Sequence, residues 1–145
     1  MKKTVEPRMH SAEHILNQTL DRMFRCGRCF NAHVEKKKSK CDYRFDHALT
    51  AEEVDAIEFR VNEIIQKNLP VNELFMTKSD AQTTVDLEKL PDGVGDEIRI
   101  VKIGEYDACA CIGPHVTQTR DLGTFRIVST NFNEGVLRIR FKLTE

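Results

Sequence analysis

The sequence predicts an α+β fold, an antiparallel sheet with helices packed on one side, on three observations. Val136–Leu143 alternates cleanly, with Leu137, Ile139, Phe141 and Leu143 on one face and Arg138, Arg140 and Lys142 on the other. One dry face and one wet face is the mark of an antiparallel sheet covered on a single side. Val54, Ile57, Val61, Ile64 and Ile65 recur with the helical period, behind a Thr50/Glu53 capping-box pattern. Pro7 stands where a helix can open, and Ala12, Ile15, Leu16, Thr19, Leu20 and Met23 form the stripe that follows it.

In chain order, the first helix is expected over roughly 7–24. CGRCFNAH then breaks it and starts a strand, EKKKSK forms a hairpin tip, and a strand returns through Cys41 to Phe45. The second helix is closed by Pro70. A strand over 71–78, a short helix after Ser79 and a turn at PDGVGD come next. Strands are expected at 97–103, 106–111, 124–130 and 136–143, the last two around the turn NFNEG.

No repeat or low-complexity linker divides the 145 residues, so residues 1–145 read as a single domain. Lys plus Arg number 22 against 23 Asp plus Glu, for a net charge of −1. This balance argues against a protein that mainly coats nucleic acid, while leaving room for a local basic patch. No run of 18 apolar residues exists to span a membrane, and MKKTVEPRMH lacks the apolar stretch of an export signal. A cytoplasmic location follows as the expectation, with the five cysteines reduced.

Cytosolic Cys and His at short spacing raise a metal hypothesis. His10 and His14 are four apart on a helix, so both rings leave one face. Cys111 and His115 are also four apart, in ACACIGPHV, where Gly113 and Pro114 favour a turn. One thiolate and three imidazoles suit Zn²⁺. Two other readings compete. Cys26, Cys29, Cys109 and Cys111 could make a four-thiolate site, though Cys-Ala-Cys is tight for ligands, and Cys26, Cys29 and Cys41 also read as small buried hydrophobes. HSAEH also fits the His-x-x-Glu-His pattern of zinc peptidases, with Glu13 as general base. Otherwise Glu13 is expected to face solvent or a basic neighbour.

HSAEHILNQTL, YRFDHALTAEEVDAIEFRVNEIIQKNLPV and CIGPHVTQTRDLGTFRIVS, in that order, resemble the editing domain of alanyl-tRNA synthetase and its free-standing AlaX-type trans-editing relatives. The editing domain of threonyl-tRNA synthetase is also similar, and Gly113–Pro114–His115–Val116 is nearer to its version. The resemblance implies that fold, and hydrolysis of the ester linking serine or glycine wrongly to the 3′ end of tRNA(Ala). It implies His10, His14, Cys111 and His115 as zinc ligands and catalytic residues. The usual Cys-Gly-Gly-Thr-His is Cys-Ile-Gly-Pro-His here, a departure that bears on the choice of amino acid. With no room for an aminoacylation domain, the chain is expected to act on tRNA already released.

A site that admits serine and rejects alanine needs a buried polar partner for the hydroxyl. Asn31 and His33 are the candidates in CFNAHVE. For the tRNA acceptor end, Lys36, Lys37 and Lys38, with Lys40, form one dense basic run, and Arg138, Arg140 and Lys142 share a strand face. The non-enzymatic alternative is a tRNA-acceptor or zinc-binding module that keeps the fold without hydrolysis.

Overall fold

The computed structural model describes residues 6–82 and 97–144. The first helix, α1 (Pro7–Phe24), opens with Glu6 accepting a hydrogen bond from the Met9 N–H and ends at Arg25 in the left-handed region. One face of α1 is dry, with Ala12, Ile15, Leu16 and Leu20 all fully buried. A hairpin follows, β1 (Asn31–His33) and β2 (Ser39–Arg44). Its connection is closed by the Ser39 hydroxyl, which accepts from the Glu35 N–H and donates to the Glu35 carbonyl. Helix α2 (Ala51–Gln66) carries the expected box: Thr50 accepts from the Glu53 N–H, and the Glu53 carboxylate accepts from the Thr50 N–H. Asn68, at φ 50°, turns the chain out of α2 ahead of Pro70.

Strands β3 (Val71–Thr77), β4 (Glu97–Ile103) and β5 (Asp107–Ala110) make an antiparallel meander, with a short helix α3 (Lys78–Gln82) after β3. The PDGVGD turn lies outside the described residues. Residues 119–122 form a 3-10 turn, and β6 (Thr124–Asn133) and β7 (Val136–Thr144) form the final hairpin.

Among the described residues the strands fall into two antiparallel sheets rather than one continuous sheet. The first runs β1-β2-β7-β6 and the second β3-β4-β5. The apolar pattern accounts for the division. Residues from β2, β6 and β7 pack with α1 and α2 in the main core, around Tyr43, Phe125, Leu137, Ile139 and Phe141. The second sheet builds a satellite core of its own from Ile98, Ile100 and Ala110, edged by Leu74 and Met76. Ile103 and Tyr106 reach back into the main core. The Tyr106 hydroxyl also lies 2.7 Å from the Thr19 hydroxyl on α1. These ties set the turn between β4 and β5 against the C-terminal half of α1.

Candidate metal centre

His10 and His14 leave one face of α1, and Cys111 and His115 leave the loop after β5. Their donor atoms all lie within 4.8 Å of one another. Cys111 Sγ is 3.2 Å from His10 Nε2 and 3.6 Å from His115 Nε2. The His10 and His115 rings stack at 4.0 Å, and His14 stands edge-on to both.

Each imidazole has its outer nitrogen directed at a specific neighbour. His10 Nδ1 donates to the Pro114 carbonyl at 2.9 Å. His115 Nδ1 meets the Ser11 hydroxyl at 2.9 Å, and that hydroxyl accepts from the Val116 N–H. His14 Nδ1 faces Asp107 Oδ2 at 3.6 Å, too long for a hydrogen bond. It is a buried polar atom with no hydrogen-bond partner among the described residues. Asp107 is itself gripped by both terminal nitrogens of Arg28 and by Gln18. Carbonyl, hydroxyl and carboxylate behind the outer nitrogens are what ligating histidines commonly carry.

Burial opposes ionisation of Cys111, yet hydrogen bonding to His10, His115 and His14 brings the thiol down to about 3. Burial also disfavours a charged His14, but Asp107, the Cys111 thiolate and Glu13 together raise it to about 9. His115 is lowered to about 4, by burial and by the neighbouring imidazoles against the pull of Cys111. Asp107 stays below the usual carboxylate range despite burial, because His14 and Arg28 face it. The site thus holds a thiolate at neutral pH, the form in which cysteine binds metal. One thiolate, three imidazoles and their oriented outer nitrogens fit a zinc-type ion.

The loop is shaped for this task. A Cβ on Gly113 would stand 2.5 Å from His10 Cε1 and 2.8 Å from Nδ1, so only glycine admits the ring. Arg99 on β4 donates to the carbonyls of Cys111 and Gly113 at 3.1 and 2.8 Å, fixing the loop from behind. The sequence carries no local sign of this role for Arg99, since strand pairing alone brings it there.

Of the two expected surroundings for Glu13, solvent or a basic neighbour, the side chain takes the second, between His10 and His14. It is 9% exposed. Its Oε2 accepts from Asn17 Nδ2 and from the Cys29 thiol. Its Oε1 lies 3.9 and 3.8 Å from Nε2 of His10 and His14. Asn17 Oδ1 in turn accepts from the Tyr43 hydroxyl and the Cys29 N–H. Sequence reasoning missed Asn17, although Glu13 and Asn17 stand four apart on the helix face that carries the histidines.

The four-thiolate alternative is not assembled. Cys111 joins the imidazoles, while Cys29 groups with Cys41 and Glu13. Burial, with Asp21 nearby, pushes the Cys26 thiol up to about 11. Burial outweighs Arg28 and raises Cys109 to about 12. Neutral thiols of this kind are poor ligands. Asn31 and His33 also lie outside the quartet: both are exposed on β1, where Asn31 donates to Asp42 and His33 is 3.2 Å from Glu35. Lys36, Lys37 and Lys38 are exposed at the hairpin tip.

An α+β fold of antiparallel sheets and helices is the editing-type fold of the threonyl and alanyl tRNA synthetases. Residues 98–140 match the family described as the threonyl and alanyl tRNA synthetase second additional domain. The chain is 36% identical over 140 residues to the alanine–tRNA ligase of Neisseria gonorrhoeae, covering 91% of this chain and 15% of that protein. It is 33% identical over 146 residues to the ligase of Methanopyrus kandleri, covering 95% of this chain and 16% of the relative. With the ligase of Rickettsia massiliae it shares 36% over 138 residues, 90% of this chain and 15% of the relative. The chain is thus similar, over nine-tenths of its length, to one segment of the alanine–tRNA ligases, and it has the editing-type fold of the threonyl and alanyl tRNA synthetase second additional domain. It spans about 15% of the length of these curated relatives.

Proposed function

We propose that this chain hydrolyses, in trans, the ester bond that joins a wrong amino acid, serine or glycine, to the 3′ end of tRNA(Ala). The carrying observation is the convergence of His10, His14, Cys111 and His115 from distant parts of the chain, with their outer nitrogens oriented. These four residues would hold Zn²⁺, which supplies Lewis-acid polarisation and a positive anchor in hydrolytic sites.

The rest of the chemistry belongs to the chain. The Pro114 carbonyl and Ser11 hold the His10 and His115 rings, and Asp107 faces the His14 ring at 3.6 Å, so two of the three rings are fixed before binding. The Cys111 thiolate and the Glu13 carboxylate give the centre two negative groups. Their charge complements a cationic partner, either the metal or the α-ammonium group of an aminoacyl ester. Glu13 Oε2 is engaged by Asn17 and Cys29, which speaks against Glu13 as the general base of a peptidase. Ile112, 61% exposed beside Cys111, and Pro114 offer an apolar rim to the cargo.

The test is a deacylation panel of Ser-tRNA(Ala), Gly-tRNA(Ala) and Ser-tRNA(Thr), run with and without a chelator. Release of serine or glycine from tRNA(Ala), lost on chelation and restored by Zn²⁺, is expected. Binding without turnover on all three would leave only the non-catalytic module.

A further inference from the structure

We infer that the outer face of the four-stranded sheet is an RNA-duplex docking surface that grips the phosphodiester backbone of the tRNA acceptor stem. This inference rests on the proposed tRNA substrate and names where the stem lies.

The inner face of this sheet is apolar, with Cys41, Tyr43, Leu137, Ile139 and Phe141 all fully buried. Strand alternation therefore turns Lys40, Asp42 and Arg44 of β2 and Arg138, Arg140 and Lys142 of β7 to the other side. Pairing places Arg126 of β6 opposite Lys142, and Ser129 and Asn131 opposite Arg140 and Arg138. Among the described residues these strand positions carry six cationic side chains and one carboxylate, Asp42, in a chain whose overall charge is −1, and Glu58 of α2 stands 3.6 Å from Arg126. Asp42 is neutralised in place by the Arg138 guanidinium at 2.8 and 3.0 Å.

Two juxtapositions point to an anionic partner. Lys40 stands directly across from Arg140, and Arg126 directly across from Lys142. Like charges in opposed positions destabilise a sheet. Glu58, 3.6 Å from Arg126, relieves part of the second repulsion, and a polyanion laid across the face turns the remainder into attraction. Arg140 is also posed, its guanidinium donating to Asn131 Oδ1 at 2.7 Å. At the β1 edge a cleft of about 220 Å³, lined by His33, Glu35, Lys38, Ser39, Lys40 and Arg140, continues the basic surface towards the Lys36–Lys38 tip.

The chemistry favours a duplex over an unpaired strand. Single-strand binders offer aromatic rings for base stacking. Here the exposed Phe30, at the start of β1, is covered by the Arg44 guanidinium 4.0 Å from its ring centre. Cations repeating every second residue along β7, about 6.8 Å apart, suit successive phosphates of a backbone. Helical RNA is recognised largely through its shape, phosphates and 2′-hydroxyls.

The experiment measures binding of an uncharged acceptor-stem minihelix at several salt concentrations, for the whole chain and for K40Q/R140Q/K142Q. The RNA bears no amino acid, so the result does not depend on whether the chain deacylates anything. The triple variant should lose at least tenfold in affinity, with its log–log salt slope shallower by about 2 to 3. Arg140→Gln alone should give a smaller loss of the same kind, which guards against a folding defect in the triple variant. K40R/K142R should bind as the parent does, and so should R60Q/K67Q, on α2 and just after its end. Unchanged affinity and salt slope in folded K40Q/R140Q/K142Q would overturn the inference. So would an equal loss in R60Q/K67Q, or binding of polyglutamate in preference to the minihelix.

Discussion

Gly113 shows how closely the site is fitted. Its missing side chain is the space that the His10 ring occupies. Gly113→Ala should therefore displace that ring while the remote core folds normally. Zinc affinity, read by competition with a chromophoric chelator, is expected to fall at least tenfold; an unchanged affinity would show that the loop yields without cost. Asn17 plays the matching part on the inner side, serving Glu13, Tyr43 and Cys29 at once. Asn17→Ala strands several buried polar groups, so a loss of roughly 3 kcal/mol is expected in urea unfolding. A loss below about 1 kcal/mol would mean that the network re-pairs without it.

At the scale of elements, the β2–β7 pairing carries a pH-sensitive link. The Arg138 guanidinium, with Asn31 and Lys40 in support, holds the Asp42 carboxyl below its usual range even though the residue is buried. A depressed carboxyl stabilises the fold above its unfolded pKa of about 3.9, and the contribution vanishes as pH falls through the folded value. The stability gap between the parent and Asp42→Asn should therefore be flat from pH 7 to about 5 and close below about 4. Protonation of the histidines and of Cys111 is common to both proteins and cancels. A gap that ignores pH would assign the effect to packing instead. Among the elements, α2 was fully legible: its period, its Thr50/Glu53 box and its exit before Pro70 are all local signals. The split into two sheets was not legible, because period-2 alternation tells which side of a strand is dry and not which strand lies next to it.

Over the whole molecule, the proposed metal would join segments about a hundred residues apart in sequence, α1 and the loop after β5. Binding to the folded state alone raises stability by mass action. Removing the ion should therefore lower the melting temperature by about 5 °C or more, and Zn²⁺ should restore it. Cys111→Ser, lacking the thiolate, should melt at one temperature with or without the ion. A parent protein indifferent to chelation would argue that the quartet binds no metal. No helix among the described residues is long and apolar enough to cross a membrane. The sequence alone determined the helices, most strand positions and the two four-residue ligand spacings, since each depends on neighbours a turn or a pleat away. Only the tertiary structure decided that the two pairs meet, that Glu13 turns inward to Asn17 and Cys29, and that Asn31 and His33 stay outside. Those outcomes depend on which distant surfaces pack together, and packing is a property of the assembled core that no local pattern encodes.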